Sequence, residues 1–391
     1  MEWPSWSHRE SLSSLSDTNW YAATALPDPN GWDERRHLWS PDRVGRRHRI
    51  PRLWQTHTSD SPYVLESGIM SHAAGTASAT PGRHPYLRSV VTYPRSLQRR
   101  AFRRRDAERI LRARFRRVTG RELDLDNPVA YADKLYWRMI TQHRHPDPRF
   151  TVLADKVAVR KYVRSVLGDE VLSELYWHGT DPRLIPFEDI PRRFVAKTNH
   201  GSGRVIRATD SVDQVDVVER LDVWLRTNYY WAGREDQYYR IKPCALVEEL
   251  LDDGFADGPL DYRFWCFDGS VAFIQVGDHS QALHLFFDTD WNRLDIRNRD
   301  EFAVYPVPRP PNLDEMVKSA ELLSASFDFV RVDLYSVAGT TRFGELTFTP
   351  NRGLRVFRPA DVDRDVGRLW QLRRPGPPRY GLHLRRTSFF G

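Results

Sequence analysis

Two segments near the C-terminal end of the chain constrain the fold most, because each alternates apolar and polar residues with a period of two. In FVRVDLY (residues 329–335) the valines and the leucine share one face of a strand, and Asp333 lies on the other. In RFGELTFTP (residues 342–350) Glu345 and Thr347 oppose the apolar side chains in the same way. Hard oxygen atoms in this arrangement suit magnesium. A solvated sheet face with a surface ion pair fits the spacing equally well.

The connection between these two strands decides whether their carboxylates can meet. Side chains alternate along a strand, so a two-residue turn at Ala338-Gly339 would place Asp333 opposite Gly344 and turn Glu345 to the far face. A three-residue connection, Val337-Ala338-Gly339, would put both carboxylates on one face, and so would a β-bulge at Gly344. The sequence therefore predicts an odd-length connection or a bulge at Gly344.

Two further segments carry charged residues where strands are expected to end. FVAKTNHGSGRVI (residues 194–206) predicts a strand with Lys197 on one face, followed by a Gly-Ser-Gly loop. An ammonium beside backbone amides suits a polyphosphate, although such a loop is more often only a turn. ALVEELLDD (residues 245–253) predicts a strand whose Glu248 could bind an adenine, although acidic strand ends are also common at surfaces. Neither segment identifies a nucleotide site by itself.

The order of the predicted elements indicates the α+β class. Helical periodicity covers residues 155–168 and 211–230, with Asp210 as the cap of the second helix, and a third helix is expected after Asn312, capped together with Glu315. Strands are expected at residues 193–199, 244–251, 262–267, 271–276, 329–335 and 342–348. Helices mixed with antiparallel hairpins are typical of α+β proteins.

The first part of the chain differs in composition from the rest. Residues 1–85 are rich in Ser, Pro, Thr and His without periodicity, which predicts a disordered or poorly ordered segment and leaves Met70 open as the true start. Residues 95–121 interleave dense arginine with apolar residues at helical spacing, which predicts a basic amphipathic helix. That helix either packs on the domain or docks to an anionic membrane or polymer.

The overall composition limits the class of protein. The 391 residues, 40% of them hydrophobic, suffice for a large core, and no apolar run approaches the roughly 20 residues that span a bilayer. Without a secretory leader, the chain is predicted to be cytoplasmic, with peripheral contact at the inner membrane face as an option. A net charge of +7 indicates an anionic partner, and no nucleic acid is expected. Cys244 and Cys266 lack zinc-site spacing and are predicted to be reduced core residues.

Ten segments, in this order, resemble the TupA-like ATP-grasp family, which is linked to teichuronopeptide and other cell-surface polysaccharide biosynthesis. They are NPVAYADKLYW, LADKVAVRKYV, FVAKTNHGSG, WLRTNYYWAGRE, IKPCALVEELL, DYRFWCFDG, FIQVGDH, NLDEMVKSAELLS, FVRVDLY and FGELTFTP. The resemblance implies the ATP-grasp fold, in which two α+β subdomains hold ATP between antiparallel sheets. The predicted divisions are the poorly ordered segment 1–85, a basic helical extension 86–150, and subdomains 151–240 and 241–391.

The resemblance also implies roles for individual residues, with ATP and Mg²⁺ as cofactors. Residues implied to bind the nucleotide are Lys156, Lys197, Gly201, Ser202, Gly203, Glu248 and Leu251. Residues implied to act on the phosphates during transfer are Arg331, Arg263 and Lys197. Residues implied to bind magnesium are Asp333, Glu345 and Thr347. Thr347 stands where many ATP-grasp enzymes have asparagine, and TPNRGLRV (residues 349–356) is less glycine-rich than in related sequences.

The reaction implied by the resemblance is the joining of a carboxylate to an amine through an acyl phosphate, at the expense of ATP. The expected substrates are a small-molecule or glycan carboxylate and an amine acceptor. An ATP-dependent sugar or glycan kinase would use the same nucleotide site with a different acceptor. A non-enzymatic protein that binds an anionic polymer or membrane through residues 95–121 is the third possibility, and it predicts salt-sensitive binding without ATP turnover.

Overall fold

Two antiparallel sheets with helices packed against them make up the described part of the protein. The computed structural model describes residues 104–209, 212–252, 258–278, 283–298 and 306–373. The segment predicted to be disordered, residues 1–85, and the alternative start at Met70 lie outside these ranges. Within them, every helix is too short or too polar to cross a membrane.

The helices and strands follow one another along the chain in the mixed order expected for an α+β protein. The helices are α1 (Ala107–Thr119), α2 (Tyr131–Arg144), α3 (Pro148–Ala154), α4 (Val159–Leu167), α5 (Gln214–Leu225), α6 (Tyr230–Gly233), α7 (Leu313–Ser324) and α8 (Ala360–Leu369). The strands are β1 (Leu175–Gly179), β2 (Phe194–Thr198), β3 (Val205–Ala208), β4 (Ala245–Glu249), β5 (Asp261–Phe267), β6 (Ser270–Gly277), β7 (His284–Phe287), β8 (Arg293–Leu294), β9 (Phe329–Val337) and β10 (Thr340–Thr347).

The smaller sheet has four antiparallel strands in the order β1-β4-β2-β3. One face of β2 buries Phe194 and Ala196 against helix α5, whose Val217 and Leu221 belong to the same core. Lys197 alternates with these buried residues and therefore points away from that core. The sheet thus buries one face and offers the other to the neighbouring part of the molecule.

The larger sheet has six antiparallel strands in the order β10-β9-β5-β6-β7-β8. Helix α7 packs on β5, β6 and β9, and the apolar face beneath it includes Phe264, Val332 and Leu346. The opposite face is divided in two. One part is an aromatic core around Trp265, covered by α2 and α8, and the other part carries charged side chains.

The hairpin formed by β9 and β10 confirms the prediction of an odd-length connection or a bulge, and the bulge at Gly344 is the alternative observed. Val337 pairs with Thr340 across a two-residue turn, and the register shifts between Phe343 and Glu345. The short turn forms because Ala338 and Gly339 both adopt positive φ, 49° and 77°, as the turn that matches strand twist requires. The bulge then restores the parity of β10, so that Glu345 pairs directly with Asp333.

The arginine-rich segment forms a helix that packs on the rest of the protein. Ala107, Leu111 and Phe115 are fully buried on one face of α1. Phe115 packs edge-on against Tyr136 of α2, with ring centroids 5.2 Å apart. The part of the predicted helix before residue 104 lies outside the described residues. Contact with a membrane or polymer stays a prediction.

Two predicted helices begin later than expected, and a third begins where expected but without its predicted cap; each difference has a local cause. The first helix begins at Val159 because Asp155 instead accepts hydrogen bonds from the backbone amides of Val157 and Ala158. The second begins at Gln214, capped by Asp213, and the predicted cap Asp210 lies outside the described residues. Asn312 precedes α7 without capping it, because its side chain bonds to the β9–β10 hairpin instead, at Thr341 and Ser336.

Candidate active site

The register of the larger sheet brings three of the predicted site residues into one row. Arg263 on β5 pairs with Asp333 on β9, which pairs with Glu345 on β10. Directly paired residues on antiparallel strands project from the same face, so these three side chains face the same region. In the neighbouring row, Arg331 pairs with Thr347. The bulge at Gly344 is what aligns β10 with this set.

Arg331 forms the centre of a buried polar cluster. Its Nε donates to Asp333 Oδ1 at 2.7 Å, and its Nη2 donates to the second oxygen of the same carboxylate. Nη2 also donates to Thr347 Oγ1 at 3.2 Å and lies 3.9 Å from Glu345 Oε1. Burial raises the pKa of Asp333 to about 6, although Arg331 acts in the opposite direction. A buried pair of this kind adds little net stability.

Lys156 contacts both the glycine loop after β2 and the β9–β10 hairpin. It lies in the turn before α4, and its Nζ donates to Glu345 Oε2 and to the carbonyl oxygen of Gly201, both at 3.0 Å. Desolvation alone would raise the pKa of Glu345, but Lys156 and Arg331 outweigh it and bring that pKa to about 2. Glu345 is therefore a carboxylate throughout the neutral range, with an ammonium in contact.

Lys197 and Glu248 project from neighbouring strands of the smaller sheet and form an ion pair. The second oxygen of Glu248 lies 3.9 Å from a guanidinium nitrogen of Arg160. The sequence prediction missed Arg160, although in the helix predicted over residues 155–168 it would share a face with Lys156, four positions earlier, and that spacing could have revealed it. Two cations thus share a carboxylate here.

The glycine loop follows β2 and lies close to Lys156. Gly201 is buried, and a Cβ at this position would lie 3.2 Å from the ring of Tyr229, so a larger residue would crowd that ring. Ser202 and Gly203 are exposed, with Gly203 at φ 71°. The loop therefore presents two accessible residues beside the Lys156 ammonium.

Two predicted residues lie at the edge of this arrangement. Arg263 belongs to the row of Asp333, and its Nη2 donates to Asp261 Oδ2 at 2.7 Å. Leu251 lies just beyond the end of β4 and is half-buried. The nucleotide, phosphate and metal roles of all these residues stay predictions.

The residues available for a metal are two carboxylates and one hydroxyl. Thr347 donates to Glu345 Oε1 at 3.0 Å, so the hydroxyl and this carboxylate are adjacent. Among the described residues, no cluster of three or more His, Cys, Asp or Glu side chains could hold a metal by itself. Two carboxylates with a hydroxyl fit magnesium, which usually takes one or two carboxylates and completes its shell with water and substrate phosphates.

One carboxylate that the sequence prediction missed lies close to this cluster. Glu235 is buried, and its Oε1 accepts a hydrogen bond from Thr349, two residues beyond Thr347. Burial raises the pKa of Glu235 to about 7, against the opposing effects of Thr349, Arg352 and Arg114. The residue is present in the family-like segment WLRTNYYWAGRE, but a single acid in a polar loop gives no signal without the fold.

Comparison with known proteins places the chain in a family. The TupA-like ATPgrasp family matches residues 133–371, more than half of the chain. No curated protein matches it.

Several solved structures of ATP-grasp proteins are similar to the chain. The ATP-grasp ligase PsnB complexed with minimal precursor is 16% identical, covers 53% of this chain and 55% of its own, and has a TM-score of 0.29. D-alanine–D-alanine ligase from Bacillus anthracis complexed with ATP is also 16% identical, with coverages of 51% and 56% and a TM-score of 0.31. The macrocyclase MdnB from Microcystis aeruginosa is 12% identical, with coverages of 56% and 59% and a TM-score of 0.29.

The match thus spans little more than half of the length of each of these solved structures. TM-scores and identities this low do not allow the role of any residue in those structures to be assigned to this protein. The family match covers both sheets and the row of Arg263, Asp333 and Glu345. The chain therefore belongs to the TupA-like ATP-grasp family and has the ATP-grasp fold.

Proposed function

We propose that this protein is an ATP-dependent ligase that activates a carboxylate as an acyl phosphate and joins it to an amine. The observation that supports this most directly is the double contact of the Lys156 ammonium, 3.0 Å from both Gly201 O and Glu345 Oε2. One cation thus joins the glycine loop of the smaller sheet to the carboxylates of the larger sheet. An ATP-grasp site needs this proximity, because loop amides, cations and metal ligands must all reach one triphosphate.

The cations of the site are the groups that would bind the phosphates. Lys156, Lys197 and Arg331 each contact a carboxylate here, and phosphate oxygens of ATP would offer them the same charge-assisted hydrogen bonds. Asp333, Glu345 and Thr347 would then hold magnesium, which neutralises charge on the phosphates when bound. Glu248 and the backbone near Leu251 would contact the adenine, and Arg263 would face the phosphates.

The reaction needs positioning and charge neutralisation rather than an enzyme nucleophile. An oxygen of the substrate carboxylate attacks the γ-phosphorus, and ADP leaves with the electron pair of the broken P–O bond. The amine then attacks the acyl carbon, phosphate leaves, and the amine loses a proton. Arg331 stabilises the negative charge of the transferring group.

The substrate carboxylate that we propose belongs to an acidic glycan of cell-surface polysaccharide biosynthesis, acted on in the cytoplasm. The family resemblance and the net charge of +7 both support an anionic partner. Helix α1 adds the exposed guanidinium groups of Arg109 and Arg117, which could contact such a polymer or an anionic membrane. Their contribution would weaken as salt rises.

A product analysis tests this proposal. We expect ADP release with ATP, magnesium, a uronic acid panel and an amino acid panel, with free phosphate and a product lighter than both substrates together by one water. Asp333→Asn should abolish turnover, whereas Asp314→Asn on the exposed side of α7 should not. A phosphorylated acceptor without free phosphate would instead show a kinase. Salt-sensitive polymer binding without ATP turnover would contradict an enzymatic role.

A further inference from the structure

Glu235 lies at the end of a chain of buried hydrogen bonds that satisfies only one of its two carboxylate oxygens. Gln237 Nε2 donates to Thr349 Oγ1 at 2.6 Å, and Thr349 donates in turn to Glu235 Oε1 at 2.5 Å. Oε2 of the same carboxylate is buried without a hydrogen-bond partner among the described residues. A buried oxygen of this kind is costly, and in native proteins it marks backbone strain, a catalytic role, or a bound water or ion.

Arg352 lies beside Glu235 and is also incompletely satisfied. A Cβ added to Gly233 would lie 2.6 Å from Glu235 Oε2 and 2.9 Å from Arg352 Cδ, so both side chains use space that only glycine leaves open. The guanidinium of Arg352 is half-buried and makes no hydrogen bond or salt bridge with any residue that the structure describes. The pair thus combines a buried acceptor that has no hydrogen bond with a half-buried guanidinium whose charge acts on it.

The backbone that carries Arg352 is strained and firmly held. Asn351 and Arg352 adopt left-handed conformations, with φ of 52° and 57°. Arg114 of α1 donates through Nη1 to the carbonyl oxygens of Gly233 at 2.6 Å and Arg352 at 3.1 Å. Such strain persists only where surrounding contacts enforce it, and it concentrates at functional sites.

The position of this pair relative to the predicted magnesium ligands is defined by β10. Thr347, the last residue of the strand, contacts Glu345, and Thr349, two residues later, contacts Glu235. The ring of Tyr229 lies beside the glycine loop, 3.2 Å from where a Cβ on Gly201 would be, and interacts electrostatically with both Glu235 and Arg352. The pair therefore lies at the end of β10, immediately beyond the carboxylates proposed to face the triphosphate.

We propose that Glu235 and Arg352 form the subsite for the amine substrate, and that this substrate carries an anionic group besides its amino group. This inference rests on the proposed ligase function. The amine arrives as an ammonium ion and transfers one proton to Oε2 of Glu235, which frees its lone pair for attack on the acyl phosphate. Arg352 binds the anionic group. Phosphate leaves with the electron pair of the broken C–O bond, and the second proton of the new amide nitrogen passes to water.

Hydroxylamine separates this role from the rest of the reaction. It is uncharged near neutral pH, so it can trap an acyl phosphate as a hydroxamate without a proton acceptor or a cation for an anionic group. Hydroxamate formation would be measured with ATP, magnesium and a panel of carboxylates that includes uronic acids. Coupling would be measured in parallel with a panel of amino acids and with their α-amides, which lack the anionic group.

For Glu235→Gln, we expect coupling of amino acids to fall about 100-fold or more, as removal of a proton acceptor typically does, while hydroxamate formation stays within about threefold. For Arg352→Gln, we expect the KM for amino acids to rise about 10-fold or more and the preference for amino acids over α-amides to disappear. Glu219→Gln and Arg364→Gln, both exposed on helices, serve as matched controls and should change neither reaction.

Three results would overturn the subsite. Equal loss of hydroxamate formation and coupling in Glu235→Gln would show that Glu235 has only a structural role. Unchanged coupling in this variant would show that Glu235 does not accept the proton of the amine. Wild-type coupling of α-amides as efficiently as amino acids would remove the anionic group from the substrate class. If the wild-type protein forms no hydroxamate with any carboxylate, the ligase proposal itself fails, and the subsite fails with it.

Discussion

Each carboxylate of the β9–β10 hairpin contacts a basic side chain in this structure. Asp333 pairs with Arg331, and Glu345 pairs with Lys156. Removing one partner of such a pair leaves the other charge uncompensated, which costs more than the pair itself contributes. The cations proposed to bind the phosphates therefore also keep the carboxylates of the site in place.

Lys156→Ala tests this double role. We expect turnover of ATP to fall at least about 100-fold, because the change removes both a proposed phosphate contact and the link between Gly201 and Glu345. Lys161→Ala, on an exposed position of α4, is the matched control and should retain activity. Steady-state ADP release and thermal melting would be measured for both variants. Full activity of Lys156→Ala would contradict the phosphate assignment.

The β9–β10 hairpin shows how one element can decide the geometry of the site. Its two-residue turn would send Glu345 to the apolar face if both strands were regular. The bulge at Gly344 reverses this, and it does so at a position with little room, since a Cβ there would lie 2.9 Å from the carbonyl oxygen of Asp333. Glycine is therefore needed for close approach of the two strands rather than for a positive φ.

Gly344→Ala should disturb both stability and activity. We expect the free energy of unfolding to decrease by about 1–3 kcal/mol, because the added methyl group forces the two backbones apart. Activity should fall as well, since Glu345 would move away from Asp333. Ala338→Gly in the same hairpin is the control, and it should be neutral or stabilising because Ala338 has φ 49°. Urea denaturation of the two variants would measure the difference, and equal stability would contradict the role of Gly344.

The whole folded unit begins before the region that matches the family. The match starts at residue 133, but α1 buries Leu111 and Phe115 completely and uses Arg114 to hold the turn that contains Arg352. Arg104 adds a salt bridge to Asp236 at 2.8 Å. The basic helix is therefore part of the globular structure, whatever its exposed arginines bind.

Two shortened chains test this boundary. A chain beginning at Met70 should melt like the full chain and bind ATP with magnesium equally well, because residues 1–69 lack any core pattern. A chain beginning at Glu122 should be strongly destabilised, since losing even one large buried side chain such as Phe115 typically costs about 3–5 kcal/mol. Thermal melting and nucleotide binding would be measured for both. A marked loss on removal of residues 1–69 would show that this segment is structural.

The sequence by itself determined the class of the fold, the family and most residues of the candidate site. Strict alternation along β9 and β10 was enough to predict one polar face, and parity arguments narrowed the hairpin to two solutions, of which the bulge at Gly344 is the observed one. Only the tertiary structure decided between a longer turn and a bulge. The two-residue turn forms because Ala338 and Gly339 both adopt positive φ, which the alternation of the strands does not reveal. The tertiary structure also revealed Glu235, Arg352 and Arg114. Glu235 lies 114 positions from Thr349, and Arg114 lies 119 positions from Gly233 and 238 from Arg352, so these residues become neighbours only when distant segments pack. Local periodicity reports which face a residue occupies, whereas contacts between loops arise from packing that no local pattern encodes.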